Sequence, residues 1–117
     1  VNYTLDKFNS YYPDAFSSNK TFCDTMCGDG QFLYNILMRK VKNGIDFETA
    51  LGTIYGVELI EDNVALCRKR LLCGREDLTH IVKQNIVCAD ALKYHYRFDG
   101  SESYKTKDDV MFDTLFV

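Results

Sequence analysis

An α/β fold, a parallel sheet joined by helical crossovers, is what this sequence predicts, on three observations. Short apolar runs of strand length recur along the chain: Thr21-Phe22-Cys23, Ile54 to Glu58, Asn85 to Asp90 and Val110 to Val117. Segments with apolar residues at three- and four-residue steps separate the first three runs. The first run also opens into its helix through a tight glycine turn, Cys27-Gly28-Asp29-Gly30. Strands that alternate with helices pair in parallel, because the chain must cross back over the sheet between neighbours.

Residues 1–20 carry Tyr3, Phe8, Tyr11, Tyr12 and Phe16 among turn formers (Asn9-Ser10, Ser17-Ser18-Asn19). They read as a short helix or loop that packs onto a domain formed by residues 21–117. These aromatics could stack on bases, but with so few basic residues among them core packing is the expected use. Thr21–Cys23 reads as a short buried strand ending at Asp24. From Gly30 onward Phe32, Leu33, Ile36, Leu37 and Val41 mark one face of a helix. Arg39, Lys40 and Lys42 complement its negative end, and Asn43-Gly44 stops it. Asp46 caps a second short helix, Phe47 to Leu51. Ile54–Glu58 is the second strand.

Glu61 and Asp62 open a helix that buries Val64, Cys67, Leu71 and Leu72 and ends at Gly74. Its Arg68-Lys69-Arg70 triplet could hold a phosphate; complementing the helix dipole is the plainer account. Leu78 to Lys83 forms a helical turn or two, and Asn85–Asp90 is the third strand, again ending on an acid. Tyr94 to Asp109 is polar and reads as a solvated loop before the fourth strand, Val110–Val117.

Composition narrows the function classes. The chain has 117 residues, enough for one small domain with a core. No apolar run approaches the ~18 residues of a membrane span, and VNYTLDKF lacks a secretory leader's pattern. A net charge of −3 advertises no nucleic-acid grip of its own. The five cysteines have irregular spacing, which fits neither a zinc site nor a disulfide framework. Reduced, mostly buried thiols in a cytoplasmic protein are expected. His80 and His95 are isolated, so no metal site is expected.

Acids at strand ends define the candidate site. In an open α/β sheet, ligands gather at the carboxyl ends of the strands. Asp24, Glu58 and Asp90 all fall there, beside a turn whose amides and helix N-terminus offer donors. A carboxylate such as Glu58 can accept both hydroxyls of a ribose, and Asp90 can read an adenine amino group. A dinucleotide fold wants a third glycine where Leu33 stands, and Asp24 and Asp29 would repel a pyrophosphate. That disfavours a nicotinamide-dependent oxidoreductase. The acids suit a ligand with a cationic amine and a sulfonium, S-adenosylmethionine.

"FCDTMCGDGQFL", "YGVELIEDNVALCRKRLL", "VCADAL" and "FDTLFV" together resemble the amino-terminal half of the S-adenosylmethionine-dependent DNA adenine-N6 methyltransferases, over residues 20–117. The resemblance implies a Rossmann-like class I methyltransferase fold, here a partial parallel sheet with helices on both faces. It implies that Asp24 and the backbone of Met26, Cys27, Gly28 and Gly30 hold the methionine moiety. Glu58 would hold the ribose hydroxyls and Leu59 the adenine face. Asp90, with Ala91 and Leu92, would hold the adenine edge. Thr4 is similar to a Tyr/Phe-Thr-Pro element of the family, although Leu5 replaces the proline, and Thr25 stands where the cofactor loop has another.

The family's Asn/Asp-Pro-Pro-aromatic motif, which holds the target amine, would follow Val117; the only proline here is Pro13. The chain is therefore expected to bind cofactor without methylating, and to contact DNA through segments beyond it. A non-catalytic, truncated interaction module is the alternative. An exposed apolar strand at 110–117 would also favour self-association.

Overall fold

The computed structural model describes residues 2–100. The strand read at 110–117 and the 101–109 part of the loop lie outside them. The elements are α1 (Asn2–Tyr11), β1 (Phe22–Asp24), α2 (Gln31–Lys42), α3 (Phe47–Leu51), β2 (Ile54–Glu58), α4 (Glu61–Leu72), a 3-10 turn (Glu76–Leu78), α5 (Thr79–Asn85) and β3 (Ile86–Cys88). The strands form a parallel sheet in the order β1-β2-β3. Phe22 pairs with Ile54 and Asp24 with Gly56; Gly56 pairs with Ile86 and Glu58 with Cys88.

Strand alternation sorts the sheet's two faces. Phe22, Ile54 and Ile86 point to one side, where Leu33, Ile36 and Leu37 of α2 and Val64, Cys67 and Leu71 of α4 complete the main core. These helical positions recur at three- and four-residue steps, so one stripe of each helix is apolar. Asp46 caps α3 by accepting from the Thr49 N–H at 3.3 Å. Val57 and Val87 point to the other side and form a second cluster with Ala89 and Tyr94.

No helix among the described residues covers that second side, which corrects the expectation of helices on both faces. An aromatic segment takes the place of one. Tyr94 is buried, not part of a solvated loop, and Phe98 packs edge-on to Tyr94 and Tyr55 at 5.4 and 4.8 Å. Tyr94 and Phe98 pack against this side of the sheet, while Tyr96 is exposed and lies edge-on to both of them at 5.3 and 6.0 Å.

Other expectations also shift. Asn85 ends α5 instead of opening β3, and its amide nitrogen donates to the Gly52 carbonyl at 3.3 Å. Ala89 and Asp90 lie beyond the strand. Of the aromatics at the amino end, Phe16 is buried and stacks on Phe22 at 5.5 Å, whereas Tyr3, Tyr11 and Tyr12 are exposed. All five cysteines are free thiols, but only Cys27 and Cys67 are fully buried.

One buried cation ties the amino-terminal segment to the sheet. Lys40, 0% exposed, donates from Nζ to the carbonyls of Ser17 and Lys20 and, at 2.8 Å, to Thr53 Oγ1. It also lies 5.4 Å from the Phe22 ring centre. No carboxylate is among these partners; carbonyl and hydroxyl dipoles replace its water. Burial lowers its pKa below that of an ordinary lysine. No helix among the described residues is long and apolar enough to cross a membrane.

Candidate functional site

The carboxyl ends of the strands form a staircase. Asp24 stands level with Gly56, so Glu58 reaches two residues further, and Asp90 lies two beyond Cys88, the partner of Glu58. Each step is about 7 Å at the usual strand rise. Asp24 and Glu58 share the parity of Phe22 and Ile54, so both fall on the side of the sheet that carries the helices.

Backbone amides shape each acid. Asp24 Oδ1 accepts from the Met26 N–H at 3.0 Å, and Asp90 Oδ1 from the Leu92 N–H at 2.9 Å. These are Asx turns, and each uses one carboxylate oxygen. Glu58 is held more firmly. Its Oε1 accepts from the Gly28 N–H at 3.2 Å, and its Oε2 from the Ile60 N–H at 3.1 Å and the Asn63 side-chain amide at 3.3 Å. Glu58 thereby joins the β1–α2 loop to the start of α4. The Cys27 N–H adds a bond to the Val57 carbonyl at 3.1 Å, so the glycine turn is pinned across the tip of β2.

The glycines act in different ways. Gly28, at φ 55°, faces open space: a Cβ there would meet nothing within 4 Å. Its role is conformational, and the space above it is free for a ligand. Gly30, at φ 85°, is needed for packing, because a Cβ would lie 2.6 Å from Cys67 Sγ and 3.0 Å from Cys67 Cα. Gly56, inside β2, is a third requirement that sequence reasoning missed. Its Cβ would come within 2.9 Å of both Cys27 Sγ and Leu33 Cδ1. A glycine in a strand interior is the available signal for such a close approach.

The remaining candidates divide. Cys27 lies under the turn; its thiol is pushed up by a hydrogen bond with Cys67, then by burial, so it stays protonated and serves packing. Met26, Leu59 and Leu92 form an exposed apolar rim at the three loops, 80, 67 and 95% exposed. Ala91 is half-buried, and its carbonyl accepts from the Tyr96 hydroxyl at 2.7 Å. Asp29 is partnered: Oδ1 accepts from the Gln31 N–H at 3.3 Å and Oδ2 lies 3.4 Å from Arg70. Arg70 thus serves this loop as well as its helix end.

Thr4 is not brought to the site. It sits on the exposed surface of α1, and Asp6, two residues on, pairs with Arg39 at 2.6 Å in the last turn of α2, the end remote from Gly30. The segment is helical where the family element would have led into the cofactor loop. A hollow of about 350 Å3 at the tip of β1 is lined by Asp24, Thr25, Phe32 and Leu33 but by neither Glu58 nor Asp90.

The described residues thus form a mixed α/β unit with a three-strand parallel sheet, in which a glycine turn bonds to Glu58 at the tip of the middle strand. No family model, curated protein or solved structure matches the chain.

Proposed function

We propose that this chain is the S-adenosylmethionine-binding part of a DNA adenine-N6 methyltransferase. The observation that carries the reading is the bond from the Gly28 N–H to Glu58, which makes the glycine turn and a diol-accepting carboxylate one unit. The donor set fits the cofactor's chemistry. Asp24 has one carboxylate oxygen beyond its Asx turn for the ligand's ammonium, and the open space over Gly28 admits its methionine moiety. Glu58 accepts from the ribose through the acceptor direction left open on Oε1. Asp90 accepts from the adenine amino group, with Leu59, Ala91 and Leu92 as apolar surface for the ring.

The bound cofactor supplies a methyl group already activated by its sulfonium. Acid–base help is then secondary, and rate depends on holding the amine in line with the methyl group. The chain contains no Asn-Pro-Pro-aromatic sequence for that task, and its single proline is Pro13. The residues of this chain thus serve cofactor binding, and none of them is assigned to holding the target amine or DNA.

Calorimetric titration tests this. Wild type is expected to bind S-adenosylmethionine, and Glu58→Ala to bind about 30-fold more weakly, from roughly 2 kcal/mol of lost charge-assisted hydrogen bonding. Equal affinity for both proteins, or none for either, sinks the reading. The exposed rim of Met26, Leu59 and Leu92 favours a second reading, a non-catalytic interaction module. Concentration-dependent sedimentation without cofactor binding would select it.

A further inference from the structure

Glu58 has a neighbour whose chemistry the cofactor reading leaves unused. Asn63 lies in the first turn of α4, half-buried, with its amide nitrogen 3.3 Å from Glu58 Oε2. A carboxylate only accepts, so the nitrogen is the end of the amide that must face it. Oε2 also takes the Ile60 N–H, so it carries two donors, whereas Oε1 carries the Gly28 N–H alone. A carboxylate offers about four acceptor directions. Three are taken here, and the open one is on Oε1, next to the glycine turn.

We propose that Asn63 is the positioning residue for ribose recognition: with the Ile60 N–H it fixes Glu58 Oε2, turning Oε1 toward the ligand's diol. The inference rests on the cofactor reading for the identity of the ligand. It adds that the carboxylate's orientation, not only its charge, sets selectivity for a ribose over a deoxyribose. Without Asn63 the carboxylate keeps one backbone donor on each oxygen, at Gly28 and Ile60, but loses the third bond that fixes Oε2, so its plane is less firmly set about the last side-chain bond. A carboxylate less firmly set holds its one open direction on Oε1 less well aligned to a ribose hydroxyl.

Two variants separate positioning from folding. Asn63→Ala removes the donor. Asn63→Asp leaves a residue well suited to a helix first turn but sets a second carboxylate against Glu58. The experiment titrates wild type and both variants with S-adenosylhomocysteine and its 2′-deoxy analogue, between pH 5 and 8, with melting curves in parallel. Asn63→Ala is expected to lose about tenfold for the ribose ligand and much less for the deoxy ligand, which narrows the ratio between them. Asn63→Asp is expected to bind most weakly near neutral pH and to recover as the pH falls and the added acid becomes a donor, a trend that Asn63→Ala does not share.

An unchanged ribose-to-deoxyribose ratio in Asn63→Ala overturns the inference, as does Asn63→Asp binding that is flat with pH, in each case with wild-type binding intact. If wild type binds neither ligand, the cofactor reading fails and the inference falls with it.

Discussion

Gly30→Ala is expected to lower the melting temperature by about 10–20 °C, the largest effect of any single added methyl group in the β1–α2 loop. Two costs combine. At φ 85° an alanine occupies the left-handed region, which disfavours it by roughly 1–2 kcal/mol. Its Cβ would also lie 2.6 Å from Cys67 Sγ and 3.0 Å from Cys67 Cα. The sulfur is itself enclosed, since Cys67 is 0% exposed, and the second contact is backbone, which cannot step aside. Overpacking of this kind costs about 1–3 kcal/mol. The total, about 3 kcal/mol, is a large part of a small domain's stability and converts at several degrees per kcal/mol. Gly28→Ala is the internal control. It meets nothing within 4 Å, so it carries the backbone cost alone and should melt well above Gly30→Ala. Equal melting temperatures would refute the packing account. Pairing Gly30→Ala with Cys67→Ala should recover part of the loss.

Lys40→Met is expected to cost about 3 kcal/mol and to release the segment before β1. Methionine fills much of the same volume, so the loss is polar, not a cavity. The carbonyls of Ser17 and Lys20 and the Thr53 hydroxyl lose their donor together. Each group buried without a partner costs roughly 1–3 kcal/mol, less where water can enter. Limited proteolysis should then cut near Ser17 to Lys20 while cleavage within α4 stays slow; uniform sensitivity along the chain would contradict a local tether. Burial also gives Lys40 a pH signature. Its folded pKa lies below the unfolded value of 10.5, so the unfolded chain binds more protons between the two. Wild-type stability should therefore gain a component that rises with pH through the window below 10.5. Lys40→Met should lack that component, and an unchanged difference between the two proteins across the window would refute it.

Regular elements were the most legible part of the sequence. α3 and β2 are read to the residue and α2 to within one because their signals are local: the Asp46 cap, a run of strand formers bounded by turns, and apolar spacing. β1 and β3 are located but displaced at their ends, since pairing with β2, which no local signal encodes, decides where a short strand stops. The 94–98 segment looked solvated because Lys93, His95 and Arg97 dominate its average. Tyr94 and Phe98 nevertheless pack on the sheet, through left-handed turns at Tyr96 and Phe98 that no period in the sequence marks. Lys40 was unreadable as a buried tether. In sequence it is one of several cations in a last helical turn, and its burial depends on a segment some twenty residues away.

At the site, the acids were legible as strand-end residues, and Glu58 lies against the glycine turn as its position suggested. The bond from Asn63 was not legible, because an asparagine in a helix first turn is common and nothing local marks its partner. Thr4 resembles part of a short family element in sequence, but α1 pairs through Asp6 with Arg39 at the far end of α2.

The stepped strand ends make this architecture sensitive to odd and even, more than to length. Deleting one residue from β2 would swing Glu58 through the plane of the sheet to the Val57 side, away from the turn it clasps. Deleting two would keep it on its own side while drawing it back by roughly 7 Å. Gains and losses of residues during descent should thus come in pairs within the strands, and in any number at the exposed Gly44 bend, where the chain owes nothing to parity.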